Sequence, residues 1–176
     1  MKTNYRLLLI ILITSLVAVQ SYALTPTAKA TKKTAGSLSL GVTTSTAGGN
    51  YAPRNITAIW VEDNAGVYVK TLIVNAKRYM RHLTNWLGKN PNAEVVDAST
   101  GATSADYGTL TGTWTGTDAA GNVVADGTYR VCMELTDSNG TGNYAYFTFT
   151  KGTAADKQTP ANKPSFSDIS LVWTPK

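Results

Sequence analysis

Apolar and polar positions alternate along most of this chain. Leu38, Leu40 and Val42 share one face of Ser37 to Thr44, the period-two pattern of a half-buried strand. From Asn55 to Glu62, Ile56, Ala58 and Trp60 oppose Thr57, Ile59 and Val61. Asp63-Asn64-Ala65-Gly66 has hairpin chemistry, because Asn and Gly accept positive φ, and Val67 to Val74 runs back. Leu110 to Trp114, Gly127 to Thr136, Asn143 to Thr150 and Phe166 to Trp173 have the same character. On Gly127 to Thr136 the apolar face is Tyr129, Val131, Met133 and Leu135. About seven strands separated by short turn signals predict an all-β fold, an antiparallel β-sandwich.

The period changes at Asn75. Tyr79, Met80, Leu83, Trp86 and Leu87 recur at helical spacing, with Lys77, Arg78, Arg81, His82 and Asn85 opposite. Asn75 suits the start and Gly88 the end, which predicts one short amphipathic helix with a basic outer face. Asn90 to Tyr107 is irregular, and Lys151 to Pro164 reads as a polar loop. Residues 75–109 are therefore a helix-and-loop insertion in a single domain spanning 37–176.

The N-terminus has its own logic. Lys2 and Arg6 precede the apolar run Leu7 to Val19, and Ser21-Tyr22-Ala23 places small residues at a cleavage site. This is the layout of a secretory signal peptide over 1–23, with the mature chain starting near Leu24. An uncleaved N-terminal anchor is the alternative, and both put the domain outside the cytoplasm, periplasmic or otherwise extracytoplasmic. After cleavage no stable membrane insertion is expected. Residues 24–36 are rich in Thr, Ala and Lys without periodicity and read as a flexible linker. Losing Lys2 and Arg6 leaves 14 basic and 11 acidic residues, a net +3. That is no nucleic-acid footprint.

Familiar chemistries find no purchase. His82 is the single histidine and Cys132 the single cysteine, so no zinc or haem ligand set assembles and no disulfide closes. Cys132 alternates with the apolar face of its strand and reads as semi-buried. Asp118, Asn122 and Asp126 lack the terminal bidentate Glu of a calcium loop and read as turn residues. There is no G-x-S-x-G elbow, no P-loop and no dinucleotide fingerprint. No catalytic residue and no metal site is assigned, and the chain is read as a non-enzyme.

Two segments carry resemblances. Val61 to Leu72, and Trp114 to Tyr129 with its W-x-G-x-D-x-x-G-x-x-V-x-x-G-x-Y pattern, resemble the Ig-like domain of flagellar hook-capping proteins. Gly121 and Gly127 free the backbone at turns, Asp118 ties a turn to its own amides, and Tyr129 starts a buried strand. The resemblance implies an Ig-like sandwich, from which this chain departs by inserting Asn75 to Thr109. With that insertion the arrangement looks like a predicted periplasmic family, domain of unknown function 2271. The likeness covers roughly Asn50 to Trp173 and rests on Tyr51-Ala52-Pro53-Arg54-Asn55, Trp60-Val61-Glu62-Asp63, Leu83-x-x-Trp86, Asp97 to Thr103 and the Trp114 to Tyr129 block.

Asp97-Ala98-Ser99-Thr100-Gly101-Ala102-Thr103 has the form D-x-x-[ST]-G-A-[ST]. It is similar to the target of FAD:protein FMN transferases, whose substrates carry FMN on the last threonine through a phosphoester. The resemblance implies covalent FMN on Thr103, with Gly101 and Ala102 allowing close approach of the transferase and Asp97 and Thr100 shaping the loop. Arg78, Arg81 and His82 would lie near a phosphate, or else form a solvated helix face. Trp86 would stack on the flavin, or else anchor the helix; Tyr107 is a second ring. The expected function is an electron carrier that works with the transferase and a membrane redox protein. The alternative is an Ig-like structural or docking module without cofactor, and the same segment is then an Asx/ST-turn loop.

Overall fold

A computed structural model describes residues 31–76, 78–101 and 106–176. The expected signal peptide and the first part of the expected linker lie outside the described residues. The strands are β1 (Gly36–Thr44), β2 (Ile56–Asp63), β3 (Tyr68–Asn75), β4 (Ser99–Gly101), β5 (Thr109–Trp114), β6 (Gly127–Thr136), β7 (Asn143–Lys151), β8 (Asp156–Gln158) and β9 (Phe166–Pro175). They form a four-stranded sheet, β5-β1-β9-β8, and a five-stranded sheet, β4-β3-β2-β6-β7. The two sheets pack as an open β-sandwich. All pairs are antiparallel except β3 with β4, which makes the larger sheet mixed. The two strands beyond the expected seven, β4 and β8, are three-residue edge strands, too short for alternation to show.

Period-two burial builds the main core. Leu38, Leu40 and Val42 of β1 meet Tyr129, Val131, Met133 and Leu135 of β6, with Phe147 and Phe149 of β7 and Trp173 of β9. Trp114 sits among Tyr129, Phe149 and Trp173, with ring centroids 5.2, 5.9 and 6.2 Å away. These are aromatic pairing distances.

A second core lies on the outer face of the five-stranded sheet. Ile56, Ala58 and Trp60 of β2, Val74 of β3 and Cys132 of β6 are covered there by Leu83 and Trp86. Strand β2 is thus buried on both faces, Ile59 and Val61 pointing into the main core.

The cover is not the single helix from Asn75 to Gly88 that the periodicity predicts. Asn75 ends β3, paired with Thr57, and the positions before the two helical pieces are Tyr79 and Leu83. A 3-10 turn spans Met80–His82 and a helix, α1, spans Thr84–Lys89. Leu83 separates them with φ −85° and ψ 70°. Gly88 lies inside α1, and the expected solvent-facing His82 is buried. The spacing did mark the buried residues Leu83 and Trp86. It could not mark the break, because so short a helix is held by what it packs on.

Within the stretch read as a linker, residues 32–35 are tied to the sandwich. The Lys32 carbonyl accepts Asp126 N–H at 2.8 Å and the Ala35 carbonyl accepts Lys176 N–H at 2.9 Å.

Candidate functional site

Strand β4 carries the middle of the Asp97 to Thr103 segment. It runs parallel to β3 at the sheet edge, with Ile73, Val74 and Asn75 beside Ser99, Thr100 and Gly101. Ser99 and Thr100 are exposed. A Cβ on Gly101 would stand 2.8 Å from Asn75 Oδ1, so a side chain there would push Asn75 aside. Ala102 and Thr103 lie outside the described residues.

Asp97 precedes this strand with φ 54°, a left-handed conformation that Asp tolerates better than most. Its carboxylate meets Lys70 Nζ at 3.0 Å; Asp97 is 77% exposed and Lys70 nearly buried. Among the described residues the Asp97 carboxylate bonds to Lys70. The stretch before it is shaped by Asn90 and Glu94. Asn90 Oδ1 accepts Glu94 N–H at 3.0 Å, Asn90 Nδ2 donates to the Glu94 carbonyl at 2.8 Å, and Glu94 Oε1 accepts Val96 N–H at 3.1 Å.

Trp86 does not face this segment from solvent. It is fully buried, and its indole N–H donates to Thr71 Oγ1 at 3.0 Å. Thr71 Oγ1 donates in turn to the Glu94 carbonyl at 3.0 Å. Helix, loop and β3 thus meet at one hydroxyl, and the enclosed indole offers a flavin no open face. Tyr107 is committed as well, its hydroxyl donating to Asp137.

Arg78 and Arg81 are exposed. Because β3 and β4 are parallel, the chain leaves β3 at the same end of the sheet as Gly101 leaves β4. Lys70, Thr71, Asn90 and Glu94 were missed by sequence reasoning. Lys70 alone left a trace, the single charge inside the run Val67 to Val74.

The chain matches the family described as predicted periplasmic protein (DUF2271) over residues 38–165. It belongs to that family. No curated protein and no solved structure matches it. In this DUF2271 chain the matched span runs from β1 to the residue before β9, so the helix-and-loop insertion lies within the family's extent. No helix among the described residues is long and apolar enough to cross a membrane.

Two further groups in the DUF2271 domain have settled partners. Cys132, expected to be semi-buried, is wholly buried. Burial and the neighbouring Glu62 push its thiol up to about 12, against the Tyr144 hydroxyl, which donates to its sulfur at 3.6 Å. Asp118 Oδ1 accepts Asn122 N–H at 2.8 Å, while Asp126 turns away to Thr34 and Lys151. Asp118 thus serves its own turn, as expected, whereas Asp126 joins the Thr34 stretch to β7.

Proposed function

We propose that this DUF2271 chain is a non-enzymatic extracytoplasmic electron carrier bearing FMN as a phosphoester on Thr103. The observation that carries this is the presentation of Asp97 to Gly101 along an exposed sheet edge. Asp97 is pinned to Lys70 and the backbone is open to an enzyme's approach. Thr103 follows Gly101 by two residues in the sequence.

Attachment is a group transfer made by an FAD:protein FMN transferase. The Thr103 hydroxyl oxygen attacks the phosphorus of the FMN half of FAD. The bond from that phosphorus to the AMP oxygen breaks, AMP leaves, and the hydroxyl proton passes to a base of the transferase. No electron is gained or lost. Bound FMN supplies one- and two-electron chemistry between a membrane redox protein and an acceptor. On this chain Arg78 and Arg81 suit the phosphate, as exposed cations at the same end of the sheet.

The test is the intact mass of the protein exported with an active transferase. A gain of one FMN less one water, absent from Thr103→Ala, is the expected result. An unmodified mass, with the transferase proven on a known target, would overturn the proposal.

A docking module without cofactor is the second reading. Tyr144 and Tyr146 favour it, exposed on the edge strand β7 beside a groove of about 400 Å³ lined also by Ala145 and Lys163. Loss of partner capture on Tyr146→Ser, with no flavin in any sample, would support it.

A further inference from the structure

With Trp86 enclosed, a tethered flavin needs another ring to lie on, and the same sheet end holds one. Thr57 near the start of β2 pairs with Asn75, and Asn75 pairs with Gly101. The residues just before β2 therefore lie at the same end of the sheet as the exit of the Asp97 segment, two strands across from it. Among them, the Arg54 guanidinium carbon lies 5.7 Å from the Tyr51 ring centroid and 5.5 Å from that of Tyr79. Arg54 Nη1 donates to the Tyr79 hydroxyl at 2.9 Å. Asn139 Nδ2 steadies the Tyr51 hydroxyl at 2.9 Å.

Tyr79 is close along the chain as well, its N–H returning to the Ala76 carbonyl one turn after β3. Its ring stacks on His82, centroids 6.4 Å apart and 26° from parallel. His82 is 8% exposed, and its Nε2 has no hydrogen-bond partner among the described residues. Tyr51 is 43% exposed, which leaves ring surface open. The two ion pairs of the described residues, Lys70–Asp97 and Lys151–Asp126, engage none of Arg54, Arg78 and Arg81.

Resting on the tethered-FMN reading above, we infer that Tyr51, Arg54 and Tyr79 form the seat of the flavin ring. Tyr51 supplies the open ring for offset stacking of a planar aromatic ligand, and Tyr79, already covered by His82 and Arg54, holds Arg54 in place. Arg54 supplies a fixed positive charge and free N–H groups for the ring's carbonyl edge, where negative charge grows on reduction. Arg78 and Arg81 then face the phosphate.

The experiment uses FMN-loaded full-length protein, its mass confirmed before each reading. Flavin emission per FMN is compared in wild type, Tyr51→Ala, Arg54→Gln and Tyr146→Ala. Stacking on tyrosine quenches flavin, so Tyr51→Ala should brighten it several-fold while Tyr146→Ala leaves it unchanged. Arg54→Gln should lower the flavin midpoint potential, since the reduced ring loses a cation. Loaded protein whose emission and potential ignore Tyr51 and Arg54 would overturn the seat and leave the tether standing. Brightening by Tyr146→Ala alone would move the ring to β7 and overturn it too. If no variant of the intact chain loads FMN, both proposals fall together, and the mass shows that before any emission is read.

Discussion

Glu134 of β6 accepts the backbone N–H of Trp86 at 2.8 Å, joining a strand to a helix 48 residues away in the chain. The same carboxylate accepts Asn85 backbone N–H at 3.1 Å and its side-chain amide at 3.0 Å. Leu83 at the helix N-cap has no side-chain acceptor. A buried strand residue therefore satisfies donors that α1 leaves open. Glu134→Ala should cost about 2–3 kcal/mol, because buried donors lose a charged acceptor. Glu134→Gln should cost less, since an amide oxygen still accepts. Urea unfolding measures both, and an Ala variant within about 0.5 kcal/mol of wild type would mean that packing alone holds the helix.

Asp97 and Lys70 separate presentation from stability. An ion pair with one exposed partner contributes on the order of 0–1 kcal/mol, and Asp97 sits at φ 54°. Asp97→Ala should therefore shift the unfolding free energy by no more than about 1 kcal/mol. The same variant should slow FMN incorporation markedly, because the start of the segment loses its ion pair to β3. Initial rates of mass gain with a fixed amount of transferase decide this. Equal rates in wild type and variant would leave Asp97 as a turn residue only.

Cys132 should behave as a core residue. Its thiol is buried and pushed up to about 12, first by burial and then by Glu62. At pH 8 a thiol-alkylating reagent should leave the folded protein unlabelled and react at the rate of global unfolding as urea rises. Rapid labelling without denaturant would show that the second core opens locally.

The sandwich was legible because its strands alternate cleanly. Gly127 to Thr136 reads as a strand in the sequence and is β6 in the structure. Its inward face, from Tyr129 to Leu135, lies in the main core. The double burial of β2 was visible only as Trp60 and Ile59 on opposite faces, since nothing local says that a helix will cover one of them. The site was less legible. Thr103 and Asp97 stand out by motif, but Lys70 and Glu134 act through contacts 27 and 48 residues away along the chain. The Tyr51, Arg54 and Tyr79 cluster joins two turns that only the β2–β3 register brings together.

Asp126 and Lys151 make the acid behaviour of the domain predictable. Asp126 accepts Thr34 N–H at 2.7 Å, Thr34 Oγ1–H at 2.6 Å and Lys151 Nζ at 3.0 Å. Lys151 is fully buried and also donates to the Thr34 carbonyl at 2.7 Å. Partial burial alone would raise the Asp126 carboxyl, but the Thr34 bonds and the Lys151 ammonium outweigh it and hold the pKa at about 2. The unfolded value is about 3.9, so the folded value is depressed. The stabilisation is complete above the unfolded value and is lost as pH falls through the folded one. Asp126→Asn leaves Lys151 buried without its counter-charge and should cost about 3 kcal/mol at pH 7. Below pH 4 the gap to wild type should narrow, because the unfolded chain then takes up a proton that folded Asp126 resists down to about pH 2. Urea unfolding at pH 7, 4 and 2.5 tests this, and a constant gap across the three would show that Asp126 does not hold Lys151 by charge.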